Sequence, residues 1–255
     1  MIMKKHFQLP DYLDAPEKPL LCISFVYAFL AFFAVPVLFF YLLAGWQNTY
    51  WLTWFEFAYH LLNCIIALSY FRSYIRSGLF YFSLDLKESF FVVKMALLSI
   101  AAIVAIVYVA SNLCDLPWLF TAMLRAFPMT ELEVWFLGGD LTYYNPVSSF
   151  LCTVVIAPVT ICCLLYCVSF VPAFQVRPWL SYLAVAAWVA FTHLRNAITP
   201  WDLSTELILY AIQLPVHLIA CRAFHKTNSI CTPMIILAIT NLLAWVYMVV
   251  QLLMR

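Results

Sequence analysis

Seven long apolar runs organise this chain, near residues 20–45, 50–71, 89–113, 147–171, 178–197, 203–223 and 229–253. Each approaches or exceeds the roughly 20 residues that an α-helix needs to cross the hydrocarbon core of a bilayer. Of the 255 residues, 66% are hydrophobic and only 10% charged, with 13 Lys+Arg against 12 Asp+Glu. A soluble domain carries roughly a quarter charged residues to wet its surface, so an ordinary soluble fold is excluded. Inside a bilayer every backbone N–H and C=O must be paired within the protein, and no period-two alternation suggests a barrel. The expectation is an all-α, polytopic membrane bundle of about seven transmembrane helices. A near-neutral charge balance offers no clustered basic surface for nucleic acid, which leaves the lipid bilayer as the first partner.

The opening MIMKKHFQLPDYLDAPEKPL is polar, and about fourteen residues separate Lys5 from the first apolar run. A cleavable signal would place the basic pair directly before a short apolar core, so the first span is expected to be retained. With the N-terminus cytoplasmic, ten basic residues fall on the inner side: Lys4, Lys5, Lys18, Arg72, Arg76, Lys87, Lys94, Arg177, Arg222 and Lys226. Only Arg125, Arg195 and Arg255 fall outside. The positive-inside rule then predicts a multi-pass protein of the cell membrane with its C-terminus outside. The connection from Asp115 to Pro146, with Glu131, Glu133 and Asp140 among aromatics, reads as an interfacial segment with a short amphipathic helix. A second surface segment, FRSYIRSGLFYFSLDLKESF, sets Arg72 and Arg76 at headgroup level. Nearly all nine cysteines sit in apolar runs, where a free thiol behaves as a small hydrophobe; a disulfide framework is not expected. The four glycines all precede the last four spans, and no internal repeat supports a duplicated transporter fold.

Ionisable and amide side chains at membrane depth are costly, so each is a functional candidate. Glu56, His60 and Asn63 share one helical face of FEFAYHLLNC, as a buried acid–base or metal pair or as a polar cluster that packs helices. His193, with Arg195 and Asn196, lies near the outer end of the fifth span and can ligate metal, move protons or bond a neighbouring helix. His217 follows Pro215, whose missing N–H leaves a backbone carbonyl for an imidazole to bond. Asn241, in the last span, reads by default as a helix-bridging amide. Soluble-enzyme signatures (HExxH, GxSxG, a phosphate-binding loop, GxGxxG) are absent.

The stretch from about Val154 to Trp245 resembles the CAAX protease and bacteriocin-processing family (CPBP or Abi) of intramembrane metalloproteases. The closest phrase is HKTNSICTPMIILAITNLLAW, which matches the family's last motif region at Lys226, Thr227, Ser229, Ile230, Pro233 and Asn241. It departs at Asn228 for a Gly, Cys231 for a Trp and Leu237 for the motif His. The family's FxxxH falls on Val189 to His193, keeping only the His. Its EExxxR, a few residues after a Pro, falls after Pro158 on Cys162, Cys163 and Cys167. The apolar runs divide the chain into a three-helix N-terminal membrane region over 1–146, with its outer interfacial loop at 114–146, and a four-helix region over 147–255 that the resemblance implies is a CPBP-like core.

The family's activity, as the resemblance implies, uses a glutamate to activate water, with histidines and an asparagine around the site. This chain keeps His193 and Asn241 but lacks the Glu pair, the Arg and the second His. One imidazole and one amide do not hold a catalytic divalent metal. Cys163 and Cys167, four apart, would complete a Cys₂His zinc set with His193, and Glu206, His217 or the Glu56–His60 pair would supply a base from another helix. Three readings follow: a non-catalytic pseudoprotease that binds a membrane peptide or protein, as in immunity; an active endopeptidase with a rebuilt zinc site; and a small carrier or channel-like protein lined by Glu56, His60, His193 and His217. The first is the reading carried forward, with no cofactor unless a zinc site is functional.

Overall fold

The computed structural model describes residues 26–27, 29–35, 38, 49–126, 146–165, 177–198 and 203–254. Much of the first expected span and the residues 127–145, with Glu131, Glu133 and Asp140, lie outside that set. Among the described residues the chain is all helix, without a strand. A π-helical turn, Leu30–Ala34, precedes α1, Thr49–Tyr70. A break at Phe71 then leads into α2, Arg72–Leu84. The helix α3, Leu86–Leu113, is followed by the short α4, Pro117–Ala126. Three stretches, Pro146–Phe150, Leu151–Ile156 and Ala157–Leu164, run on as one helix, α5, whose middle stretch is π-helical. The last three helices are α6 (Pro178–Ile198), α7 (Leu203–Thr227) and α8 (Cys231–Leu253).

Local chemistry sets several of these boundaries. Asp85 caps α3: its Oδ1 accepts the backbone N–H of Glu88 at 3.2 Å, with Glu88 in the first turn, the Asp-x-x-Glu pattern of a helix start. At the far end Asp115 takes the left-handed conformation at φ 57, and Leu116 N–H reaches back to Ser111 O at 2.8 Å. This is a Schellman closure, and Pro117 then fits as the first residue of α4, where a missing N–H costs nothing. The short helix expected after Asp115 is therefore present as α4, and its Met123 is wholly buried.

Among the described residues three helices are long and apolar enough to cross a membrane: Leu86–Leu113, Val147–Leu164 and Glu206–Thr227. Shorter apolar helices cover Phe57–Tyr70, Trp179–Phe191 and Cys231–Tyr247. The core gathers around α5 to α8: Cys162, Cys163, Leu164, Val185, Val189, Val216, Ala220, Ile236 and Ala244 all belong to it. Many large apolar side chains face outward, such as Ile106 at 67% and Leu113 at 81% exposed on α3. That inverted surface suits a hydrocarbon solvent. Helices α6 and α7 form the most extensive pair, α7 also lies along α3 and α8, and α8 packs against α5.

Candidate functional site

The deepest polar contact begins with a proline. In the π-helical stretch of α5 the backbone bonds run from residue i back to i−5, so Ala157 N–H bonds Cys152 O. The next N–H in that pattern would reach Thr153 O, but residue 158 is proline and has none. Asn241 of α8 supplies the donor instead: its Nδ2 reaches Thr153 O at 2.8 Å, with both residues buried. A carbonyl released inside the bundle is thus paired across helices, as an interior proline in a membrane helix requires. Asn241 is the bridging amide anticipated from the sequence, and its partner is set by Pro158.

Beside this bond lies a cavity of about 10 Å³, close to the smallest volume that holds one water. Four polar side chains line it: Gln213 and His217 from α7, and Thr240 and Asn241 from α8. Ile161, Val216 and Leu237 close its apolar side. Thr240 turns its hydroxyl back to Ile236 O at 2.8 Å. On α7, Glu206, Gln213 and His217 are spaced by seven and four residues, so they share one face, and they are 2%, 4% and 3% exposed. This buried polar ladder runs from the first turn of α7 to its middle, about 16 Å at 1.5 Å per residue.

The residues singled out by the resemblance distribute as follows. Cys162 and Cys163 are fully buried in the core, without lining the cavity, whereas their neighbour Ile161 does line it. Leu237, at the position of the second motif His, contributes apolar wall to the cavity that Asn241 borders. Val189, in place of the motif Phe, is wholly buried on α6. His193 belongs to α6 by its backbone, but its side chain, with those of Arg195 and Asn196, lies outside the described residues, as does Cys167 altogether. The proposed Cys163–Cys167–His193 set is thus not among the described side chains.

The phrase HKTNSI makes the turn between α7 and α8. Asn228 takes φ 51 and its N–H bonds Phe224 O at 2.8 Å, an αL helix end that asparagine tolerates better than most residues. Thr227 Oγ1 and Thr232 Oγ1 share a hydrogen bond of 2.7 Å across the turn. Ser229 Oγ accepts Cys231 N–H at 3.2 Å and donates to Gly78 O at 2.6 Å. Contact is close enough that a Cβ on Gly78 would lie 2.8 Å from Ile230 Cγ2. The absence of glycine from the last four spans therefore does not forbid close packing: α2 supplies the glycine.

The Glu56–His60–Asn63 face also resolves in part. Asn63 is buried, accepts Tyr27 OH on Oδ1 at 2.7 Å and donates from Nδ2 to Tyr59 O at 3.1 Å. Tyr59 OH in turn donates to Ala31 O at 2.6 Å, and the half-buried His60 ring meets Tyr59 edge-on at 5.6 Å. These bonds tie α1 to the segment before it, which is the work of a helix-packing cluster. The side chain of Glu56 lies outside the described residues.

Among the described residues no group of three or more His, Cys, Asp or Glu side chains converges so as to hold a metal ion. The donors at the cavity are one imidazole, two amides and a hydroxyl, a poor set for zinc. Gln213 and Thr240 were not anticipated, although the spacing of four between Gln213 and His217 places an amide beside that histidine. Ser229 had been noted for its phrase alone, and its partner lies 151 residues away. Comparison with protein-family models, with curated proteins and with solved structures finds no match to this chain.

Proposed function

We propose that this chain is a multi-pass membrane protein of about seven spans, with its N-terminus cytoplasmic and its C-terminus outside. In this reading it shares the helical frame of CPBP or Abi intramembrane proteases and works without catalysis, by binding a membrane peptide or protein. One observation carries the reading: the Asn241 amide is engaged by Thr153 O, beside a cavity with room for about one water and with Leu237 in its wall. Peptide hydrolysis needs a base, an activated water and a substrate carbonyl within hydrogen-bond reach of one another. Buried thiols at Cys162 and Cys163 supply no carboxylate for that purpose. The test is direct. Purified protein should carry no stoichiometric zinc, and His193→Ala should leave peptidase background on prenylated C-terminal and leader-type peptides unchanged. Stoichiometric zinc and peptidase activity, both lost in His193→Ala, would overturn the reading.

A second reading, a small proton- or cation-linked carrier, draws support from the buried Glu206–Gln213–His217 ladder on α7. It requires a continuous polar passage. Flux of protons or sodium into liposomes containing the protein, abolished by His217→Leu, would favour the carrier over the binding protein; liposomes no leakier than empty ones would remove it.

A further inference from the structure

Cationic side chains from three separate parts of the sequence are carried by the elements tied to the end of the bundle where α7 turns into α8. The Ser229–Gly78 hydrogen bond pins α2 across that turn. Phe71, Gly78 and Phe82 face the bundle and are buried. On an ideal helix Arg72 and Arg76 lie about 120° and 160° around from Gly78, and both are exposed. The last two turns of α7 expose Arg222 and Lys226, again four residues apart and hence on one face. Tyr182 and His225 are joined by a 3.1 Å hydrogen bond, which brings the start of α6, and the exposed Arg177 just before it, to the same end. The described acids nearest in sequence to α2 are Asp85 and Glu88, and the Asp85 carboxylate is engaged in capping α3.

The outward side of α2 changes character along its length. After Arg72 and Arg76 it exposes Leu79, Phe80 and Leu84, at 56%, 58% and 62%. A short helix with basic residues in its first turns and bare apolar ones in its last is suited to the boundary between headgroups and acyl chains. With its apolar end in hydrocarbon, the arginines would sit at phosphate depth.

We propose that this end of the bundle binds anionic phospholipid headgroups, with Arg72 and Arg76 on α2 and Arg222 and Lys226 on α7 as two basic clamps. Arginine presents a planar fork that matches two phosphate oxygens at once. The surface rests on the membrane reading of the chain and is independent of the protease resemblance. Each basic residue near an anionic surface contributes roughly 5-fold to binding, so four together give about 10²-fold or more.

The experiment uses the full chain in neutral detergent and in phosphatidylcholine nanodiscs. Phosphatidylglycerol is titrated against phosphatidylcholine while the thermal midpoint and the lipid retained in native mass spectra are followed. Phosphatidylglycerol should raise the midpoint and stay bound, and R72Q/R76Q/R222Q/K226Q should lose the preference by about 10²-fold with helicity unchanged by circular dichroism. The charge-keeping R72K/R76K should retain most of it, which separates lost charge from lost folding. Equal shifts from both lipids, a preference that survives in the neutralised variant, or the same shift from inorganic phosphate alone would overturn the proposal. Alkaline carbonate washing checks the membrane reading separately: chain released by carbonate refutes that reading, whereas retained chain without the lipid preference refutes only the headgroup site.

Discussion

The bond between Asn241 and Thr153 makes a quantitative prediction because its cause is known. Asn241→Leu keeps the branching and heavy-atom count of the side chain and removes the donor 2.8 Å from Thr153 O. A buried carbonyl stripped of its partner costs about 1–3 kcal/mol in soluble proteins, and interhelical bonds inside membranes average nearer 0.6 with a ceiling near 1.7 kcal/mol. The extra apolar burial of leucine offsets part of this, so a loss of about 1 kcal/mol is expected. The need for Asn241 arises from Pro158. Pro158→Ala returns an N–H at the position that the π-helical pattern directs to Thr153 O. In that background Asn241→Leu should cost less than about 0.5 kcal/mol, a coupling of roughly 0.5–1 kcal/mol. The assay is reversible unfolding by SDS in mixed micelles for the parent, both single variants and the double variant. An equal cost for Asn241→Leu in both backgrounds would refute the argument that proline creates the vacancy asparagine fills.

Other consequences are simpler to measure. Gly78→Ala places a Cβ 2.8 Å from Ile230 Cγ2, and overpacking of that kind should lower stability by about 1–3 kcal/mol; Ile230→Ala should cost less in that background than in the parent, because it also relieves the clash. Ser229→Ala removes the donor to Gly78 O and the acceptor of Cys231 N–H, for a loss of about 1–3 kcal/mol by the same unfolding assay. Cys162→Glu with Cys163→Glu would bury carboxylates at positions with no exposure, costing on the order of 3 kcal/mol or more, read as lost yield of folded protein. In the native protein a maleimide should label the exposed Cys114 rapidly and leave Cys162 and Cys163 unmodified until the fold is opened.

The helical character of the described residues was legible because hydrocarbon demands long apolar runs and a run of that kind has few other outcomes. The expected spans 89–113 and 203–223 lie within α3 and α7, which run on to Leu86 and Thr227; the Asp85 cap and the αL turn at Asn228 that set those ends were not read from the sequence. Asn241 was legible as a bridging amide, since an amide in a span must find a partner. Its partner was not, because VVIAPVT looks the same whether its backbone bonds run to i−4 or i−5. Gly78 and Ser229 could not be joined on paper for a different reason: each is ordinary alone, and only the packing of α2 over a turn far along the chain makes them one contact. The phrase from Lys226 to Ile230 was read only as a likeness, while in the fold its Thr227, Asn228 and Ser229 shape and anchor a turn.

The π-helical turn of α5 also acts as a frame shift. One additional residue within a turn rotates everything after it by about 100° relative to an uninterrupted helix. Pro158, Ile161, Cys162 and Cys163 therefore face their present neighbours only because Leu151–Ile156 carries that residue. Straightening that turn to i−4 bonding with every residue kept would swing Ile161 out of the cavity wall and present a different set of side chains to α8, whereas deleting one residue there would return an ordinary α-helical turn and leave Ile161 in place. For a membrane helix, whose sequence is constrained to be apolar almost everywhere, such a one-residue step is a way to change which face meets a partner while leaving composition intact.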